Sequence, residues 1–397
     1  MSLRLSIALT TALLTTATVV TTAPAYADGP GTGTPYVVTV GDSYISGEAG
    51  RWAGSSNNSE APADALGAHA YHDNAAGTGE QIAKCHRSKS AEAYIGGGVD
   101  GLNLACSGAR TATSNGDDFK PGLDFFDNGA GRLGQAKLLQ QFATTHNVKQ
   151  VVVSIGGNDF NFASIVQSCV TDFLLSPSWF PDYCKDDSSV VANFTATNVT
   201  AVRGRIAAAF QNVATAMRNA GYADTAWTLL VQTYPSPIPA GSGFRYGQSG
   251  YTRQSVGGCG FWNTDADWAN ATALTTINNT VRAAIGQSGL TNTRLLELQS
   301  TFNGRRLCEK TVGLYEEVGL TSWTQPTAVD RTEWINQIRT VTTIGSNYFI
   351  QESIHPNYWG QLALRSCVRQ TYLQNRGGTC TIAGTGLLNG EPRMTLN

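Results

Sequence analysis

The sequence predicts an α/β fold, a mainly parallel sheet covered by helices. Three observations carry this. Short apolar runs recur at 37–40, 151–155 and 227–231. They are continuous rather than alternating, as in strands buried on both faces. Between them lie stretches with apolar residues at helical spacing.

The elements follow in order. Residues 28–35 are a loose lead-in, and 37–40 form a buried strand that stops at Gly41. Residues 50–58 are loop, and 61–70 are a short helix carrying Leu66. Gly96, Gly97 and Gly98 break the chain before a second short strand at 102–105, and 116–131 are loop. Leu133, Leu138, Leu139 and Phe142 fall at helical spacing and lead into the strand of Val148 and 151–155. Residues 161–189 are expected to be irregular. Val202, Ile206, Phe210, Val213 and Met217 share one face of a helix over 198–220. A strand at 227–231 precedes an insertion rich in Pro, Gly, Ser and aromatics at 236–262. A helix over 265–288, a strand at 295–298, a mixed stretch at 302–341 and a last helix over 358–372 complete the chain.

Residues 1–27 are expected to be a secretory signal. Arg4 precedes an apolar stretch at 5–22, and Ala25-Tyr26-Ala27 places small residues at a cleavage site before Asp28. Residues 28–397 are then one domain with long loop insertions. Losing Arg4 leaves 26 Lys+Arg of the original 27 against 29 Asp+Glu, a net charge of about −3. Charged residues make up only 14 % of the chain and there is no basic run, which argues against a nucleic-acid partner. No later stretch approaches the roughly 18 apolar residues of a membrane span. The expectation is a secreted monomer.

The eight cysteines are Cys85, Cys106, Cys169, Cys184, Cys259, Cys308, Cys367 and Cys380. Export makes disulfides the default. Short loops favour Cys85–Cys106, Cys169–Cys184 and Cys367–Cys380, leaving Cys259–Cys308. Proximity alone does not fix one of the 105 pairings that eight cysteines allow.

Ser43 follows a buried strand, at the edge where parallel sheets bind ligands. It is either a turn or capping serine, or a nucleophile that needs a base. Of the five histidines, His146 reads as solvent-facing and His86 as an ordinary loop residue. His69 and His72 lack a third metal ligand, so no metal is expected. His355 sits in YFIQESIHPNYWG, on a loop that Pro356 constrains. Glu352, three residues upstream, could orient its ring; a surface Glu and a capping His are the plain alternative. Gly108 in NLACSGART and Asn158 in VVVSIGGNDF are candidate oxyanion donors, or a turn glycine and a helix cap. Arg245 and Arg253 read as surface arginines that could meet an anionic group.

These blocks together resemble the SGNH hydrolases, the GDSL esterase/lipase family, in their secreted actinobacterial branch. The order is Gly41-Asp42-Ser43, Gly108, Gly157-Asn158-Asp159 and His355-Pro356. The resemblance implies a three-layer α/β/α sandwich around a mainly parallel sheet of about five strands. It implies Ser43 as nucleophile and His355 as base, with the Ser43 and Gly108 N–H groups and the Asn158 amide as oxyanion hole. Asp42 and Asp159 would organise the adjoining loops. Glu352 stands where members commonly carry Asp; some members of the branch use a backbone carbonyl instead. No cofactor is implied. The implied activity is hydrolysis of a small-molecule, lipid or plant cell-wall ester through an acyl-enzyme. The alternatives are a feruloyl esterase or phospholipase, or an inactive carbohydrate-binding or adhesion protein.

Overall fold

The computed structural model describes residues 30–340 and 350–397. The expected signal, 1–27, lies outside them. Among the described residues a seven-stranded sheet runs in the order β2-β1-β3-β4-β5-β6-β7. Its strands are β1 Pro35–Gly41, β2 Asp100–Asn103, β3 Asn147–Ser154, β4 Thr228–Gln232, β5 Thr293–Glu297, β6 Gly378–Leu388 and β7 Glu391–Leu396. The first six pair in parallel; β7 is antiparallel to β6.

This corrects the expected sheet of about five strands. Residues 378–396, for which the sequence predicts no element, form the hairpin that extends the sheet. In size and in its largely parallel strands, the sheet is of the kind found in α/β hydrolases, with one antiparallel edge. Cys367–Cys380 ties the last helix to β6, next to the short β5–β6 register of Leu296 with Gly378 and Glu297 with Thr379.

Helices cover both faces. Their labels are α1 Ser43–Ser46, α2 Gln135–Ala143, α3 Phe162–Leu175, α4 Ala196–Asn219, α5 Thr275–Ser288 and α6 Tyr358–Gln374. Val38, Val40, Val151, Val153, Leu229 and Val231 point to the face packed by Leu139, Ile206, Phe210, Val213 and Val281. Val37, Val152, Leu230 and Leu296 point to the other, with Val170 and Leu362. This period-two division explains the continuous apolar runs, since both faces of each strand are covered. Each fully buried Val or Leu contributes roughly 1.5–3 kcal/mol.

Two further element expectations change. Residues 61–70 make turns and one 3-10 turn at Gly67–His69 rather than an α-helix. A run of Ala, Gly and Asp offers too few apolar anchors to hold one. The stretch 161–189 contains α3, whose Ile165, Val166, Cys169, Val170 and Phe173 are buried at helical spacing. The sulfurs pair as Cys85–Cys106, Cys169–Cys184, Cys259–Cys308 and Cys367–Cys380.

Candidate active site

β1 and β3 lie side by side, and the chain leaves them toward opposite edges of the sheet, to β2 and to β4. A crevice opens at such a switch point, at the carboxyl ends of the strands. Ser43 follows β1 there, and Gly156-Gly157-Asn158 follow β3. Gly41 makes the close approach possible. Its φ is +134°, and a Cβ would lie 1.9 Å from the Ser154 carbonyl oxygen, so only glycine fits. The Asp42 N–H donates to that same oxygen at 2.9 Å, which pins the turn into α1.

Ser43 opens α1 and is buried. Its Oγ lies 2.7 Å from His355 Nε2. His355 Nδ1 lies 2.9 Å from the Ser353 carbonyl oxygen. A carbonyl can only accept, so Nδ1 carries the proton and Nε2 is left to accept the Ser43 hydroxyl hydrogen. The required tautomer is thus set by main chain. Burial holds the His355 pKa below the ordinary 6.5, against the opposing pull of the Glu48 carboxylate and the Ser353 carbonyl.

The local backbone explains the reach of that carbonyl. Ile354 has φ +60°, an uncommon conformation for a β-branched residue. Its N–H donates to the Asn336 carbonyl at 3.1 Å, and the Asn336 N–H donates to the His355 carbonyl at 3.0 Å. Asn357 caps α6 immediately afterwards, accepting from the Trp359 and Gly360 N–H groups.

Glu352 is turned elsewhere. Its carboxylate accepts from Trp52 Nε1 at 2.7 Å and from the Tyr71 hydroxyl. The ring instead meets the Ser353 carbonyl, the backbone alternative that the sequence also left open. The chain bends at Ile354, which brings residue 353 rather than 352 to the ring.

Asn158 and Ser43 line one small pocket, with Gly157, Phe162, Tyr234, Leu274 and Ile277. Asn158 Nδ2 donates to the Ala109 carbonyl at 2.9 Å, and its amide has a second hydrogen to offer. Gly108 has φ +80° in the turn before Ala109 and does not line that cavity. Asp42 accepts from the Tyr44 N–H at 3.1 Å and from the Tyr234 hydroxyl. Tyr234 in turn accepts from the Gly157 N–H at 3.0 Å, so this network joins the turns after β1 and β3. Burial pushes the Asp42 carboxyl up to about 7. Asp159 accepts from the Thr111 N–H at 3.1 Å and hydroxyl at 2.7 Å.

A second, apolar cavity shares Phe162, Pro237, Leu274 and Ile277 with the first. Ile165, Phe261, Trp268 and Ala273 extend its wall. The aromatics here split between roles: Phe261 of the insertion and Trp268 just beyond it face this space, while Trp262 is buried against Phe173.

Sequence reasoning missed several residues. His86, read as an ordinary loop residue, is buried, with Nδ1 2.6 Å from Glu48 Oε1. Arg253, read as a surface residue, is buried and donates to the Phe261 carbonyl and Asn263. Arg245 pairs with Glu333 at 2.7 Å. His69 and His72 approach each other at 2.8 Å. Among the described residues, no group of three or more His, Cys, Asp and Glu is placed to hold a metal ion. None of the described helices is long and apolar enough to cross a membrane.

Fold and site together define a mostly parallel α/β protein with a serine–histidine pair at its switch point. No protein-family model matches the sequence, and no curated protein does. The seven-stranded sheet sets aside the SGNH/GDSL membership that the four sequence blocks implied. Three solved structures are distantly similar. An extracellular lipase from Streptomyces rimosus is 19 % identical, with a TM-score of 0.42, covering 86 % of this chain and 99 % of its own. Phospholipase A1 from Streptomyces albidoflavus is 17 % identical at a TM-score of 0.40, covering 87 % and 100 %. Est24, a carbohydrate acetylesterase from Sinorhizobium meliloti, is 12 % identical at 0.28, covering 66 % and 84 %.

Proposed function

We propose that the protein hydrolyses carboxylic esters through an acyl-enzyme on Ser43. The observation that carries this is the 2.7 Å contact between Ser43 Oγ and His355 Nε2, with Nδ1 held by the Ser353 carbonyl. A serine hydroxyl is a poor nucleophile until a base accepts its proton, and this geometry supplies the base. As Ser43 Oγ attacks the ester carbonyl, its proton passes to Nε2. The oxygen that becomes negative is met by the free Asn158 amide hydrogen and by the main-chain N–H of Ser43. His355 then returns the proton to the departing alcohol. A water that gives its proton to Nε2 releases the acid and restores Ser43.

The acyl side is apolar. The cavity bounded by Phe162, Phe261, Trp268 and Leu274 adjoins the one that holds Ser43, which favours a lipid ester over a polar sugar ester. Action outside the cell is favoured by four disulfides, since such bonds persist in oxidising compartments. The Ser43–His355 pair weighs against a protein that only binds carbohydrate.

The test is a panel of short- and long-chain p-nitrophenyl esters, a phospholipid and methyl ferulate, with Ser43→Ala beside the wild type. The expected result is activity in the wild type and a loss of about 10⁴-fold or more in the variant. Full activity in Ser43→Ala would sink the assignment.

A further inference from the structure

Glu48 lies in the turn that follows α1 and is fully buried. One carboxylate oxygen is 2.6 Å from His86 Nδ1; the other accepts from Gln351 Nε2 at 3.0 Å. The same Gln351 amide reaches Ser107 Oγ at 2.7 Å and the Lys84 carbonyl at 3.0 Å. Gln351 belongs to the loop that carries His355, and Ser107 precedes Gly108. One buried side chain therefore joins the turns bearing the serine, the histidine and a candidate oxyanion donor.

His355 also lacks something. Its Nδ1 meets a neutral carbonyl, yet proton transfer from Ser43 leaves the ring positively charged. A carboxylate usually balances that charge. Glu48 acts on His355 through space, while His86 opposes it. His86 itself stacks on Tyr71 at 4.5 Å, and Tyr71 donates to Glu352.

We propose that Glu48 is a positioning residue of this site: through Gln351 it fixes the His355 loop against the Ser107–Gly108 turn, and its negative charge stabilises the His355 imidazolium without touching it. This rests on the ester-hydrolase reading above. Glu48 takes no proton; the Ser43 proton travels only to Nε2 and on to the alcohol. The groups facing His355 are Ser43, the Ser353 carbonyl, the Tyr44 ring and, as charges, Glu48 and His86. Around the Glu48–His86 pair stand Glu80, 3.5 Å from His86 Nε2, together with Glu352, Tyr71 and Lys120.

The experiment uses the full chain. Glu48→Gln, Glu48→Asp and Gln351→Leu are assayed on p-nitrophenyl butyrate from about pH 4 to about pH 9, spanning the histidine limb. Melting curves and labelling by a fluorophosphonate accompany the rates. Glu48→Gln is expected to lower kcat roughly ten- to hundredfold with KM little changed. Its acid limb is expected to move down by about half to one pH unit, because the carboxylate is gone while Glu80 keeps His86 protonated at acid pH. Glu48→Asp restores the limb but not the full kcat. Gln351→Leu lowers kcat and leaves the limb in place.

Wild-type kcat and limb in Glu48→Gln would overturn the proposal. So would a kcat loss that tracks lost melting stability with an unmoved limb, since that is what a merely structural residue gives. If Glu48→Gln does not fold, Gln351→Leu decides, and wild-type kcat there overturns it. Failure of the wild type to label would sink the ester-hydrolase reading instead, and the proposal with it.

Discussion

The Tyr44 hydroxyl donates to the main-chain carbonyl of Ile354 at 3.0 Å. The residue after the serine thus holds the residue before the histidine. The Tyr44 ring also lies 5.2 Å from the His355 ring, so it supports both the base and the bend that presents the base. A residue at positive φ of this kind costs about 1–3 kcal/mol and persists only when its surroundings hold it.

Tyr44→Phe removes that hydroxyl and keeps the ring. The expected outcome is a loss of about 1 kcal/mol of stability, in line with a single neutral hydrogen bond. A fall in kcat of roughly tenfold accompanies it, because the imidazole is less well placed. Steady-state kinetics and a denaturant titration check both, and unchanged kcat would refute the supporting role.

Activity should persist into mildly acid solution. His355 acts as a base only when neutral, and burial holds its pKa below 6.5. The acid limb of kcat/KM is therefore expected below pH 6.5, with rate lost as pH falls through it. A limb above the ordinary histidine value would contradict this assignment of the base.

His86 gives the opposite dependence for stability. Burial alone would depress its pKa, but the Glu48 carboxylate raises it to about 9. A raised histidine stabilises fully below its unfolded value near 6.5, and the benefit is lost as pH rises through about 9. Over that window, urea unfolding should show a decline of no more than about 3 kcal/mol. The decline should disappear in His86→Gln.

Asn158→Ala should reduce kcat by about 10²–10³ if its free amide hydrogen meets the oxyanion. KM should change little. A variant with normal kcat would leave Asn158 only its bond to the Ala109 carbonyl.

Ala273 is nearly buried in the wall of the apolar cavity. Ala273→Trp fills that space at a packing cost of about 1–3 kcal/mol. Hydrolysis of long-chain p-nitrophenyl esters should fall while the acetate ester is spared. Equal loss on both would place the acyl chain elsewhere.

The central strands were legible because their apolar runs are continuous and end at glycine or at polar turns. Val151, Val152 and Val153 are typical: both faces of the sheet bury them. The outer hairpin was not read. β6 buries only Cys380, and β7 buries Glu391 and Pro392 beside Met394 and Leu396, so the apolar signal is weak, but Asn389-Gly390 carries the turn chemistry, with φ +53° and +81°. Helix α3 was missed for another reason. Its buried period of three and four runs through Cys169, and polar residues interleave its apolar ones, so the pattern is short and broken.

The site divides in the same way. Ser43, Asn158 and His355 stood out as chemical residue types placed after strands or beside proline. Glu48 and Gln351 did not, because their importance lies in partners hundreds of residues away. The Ser353 carbonyl could not stand out at all, since every residue has one.

That last point bears on how this site tolerates genetic change. An acidic side chain in the orienting role is a single codon that almost any substitution destroys. Here the acceptor is peptide backbone, so the imidazole does not depend on the side chain at 353, whose hydroxyl instead accepts from the Arg339 N–H at 2.9 Å. The vulnerable position moves one place along, to Ile354, where the bend is made. Variation collected along 350–355 should therefore keep a hydrogen-bonding residue at 353 and admit at 354 residues that accept positive φ, such as Gly and Asn, with no acid required at either.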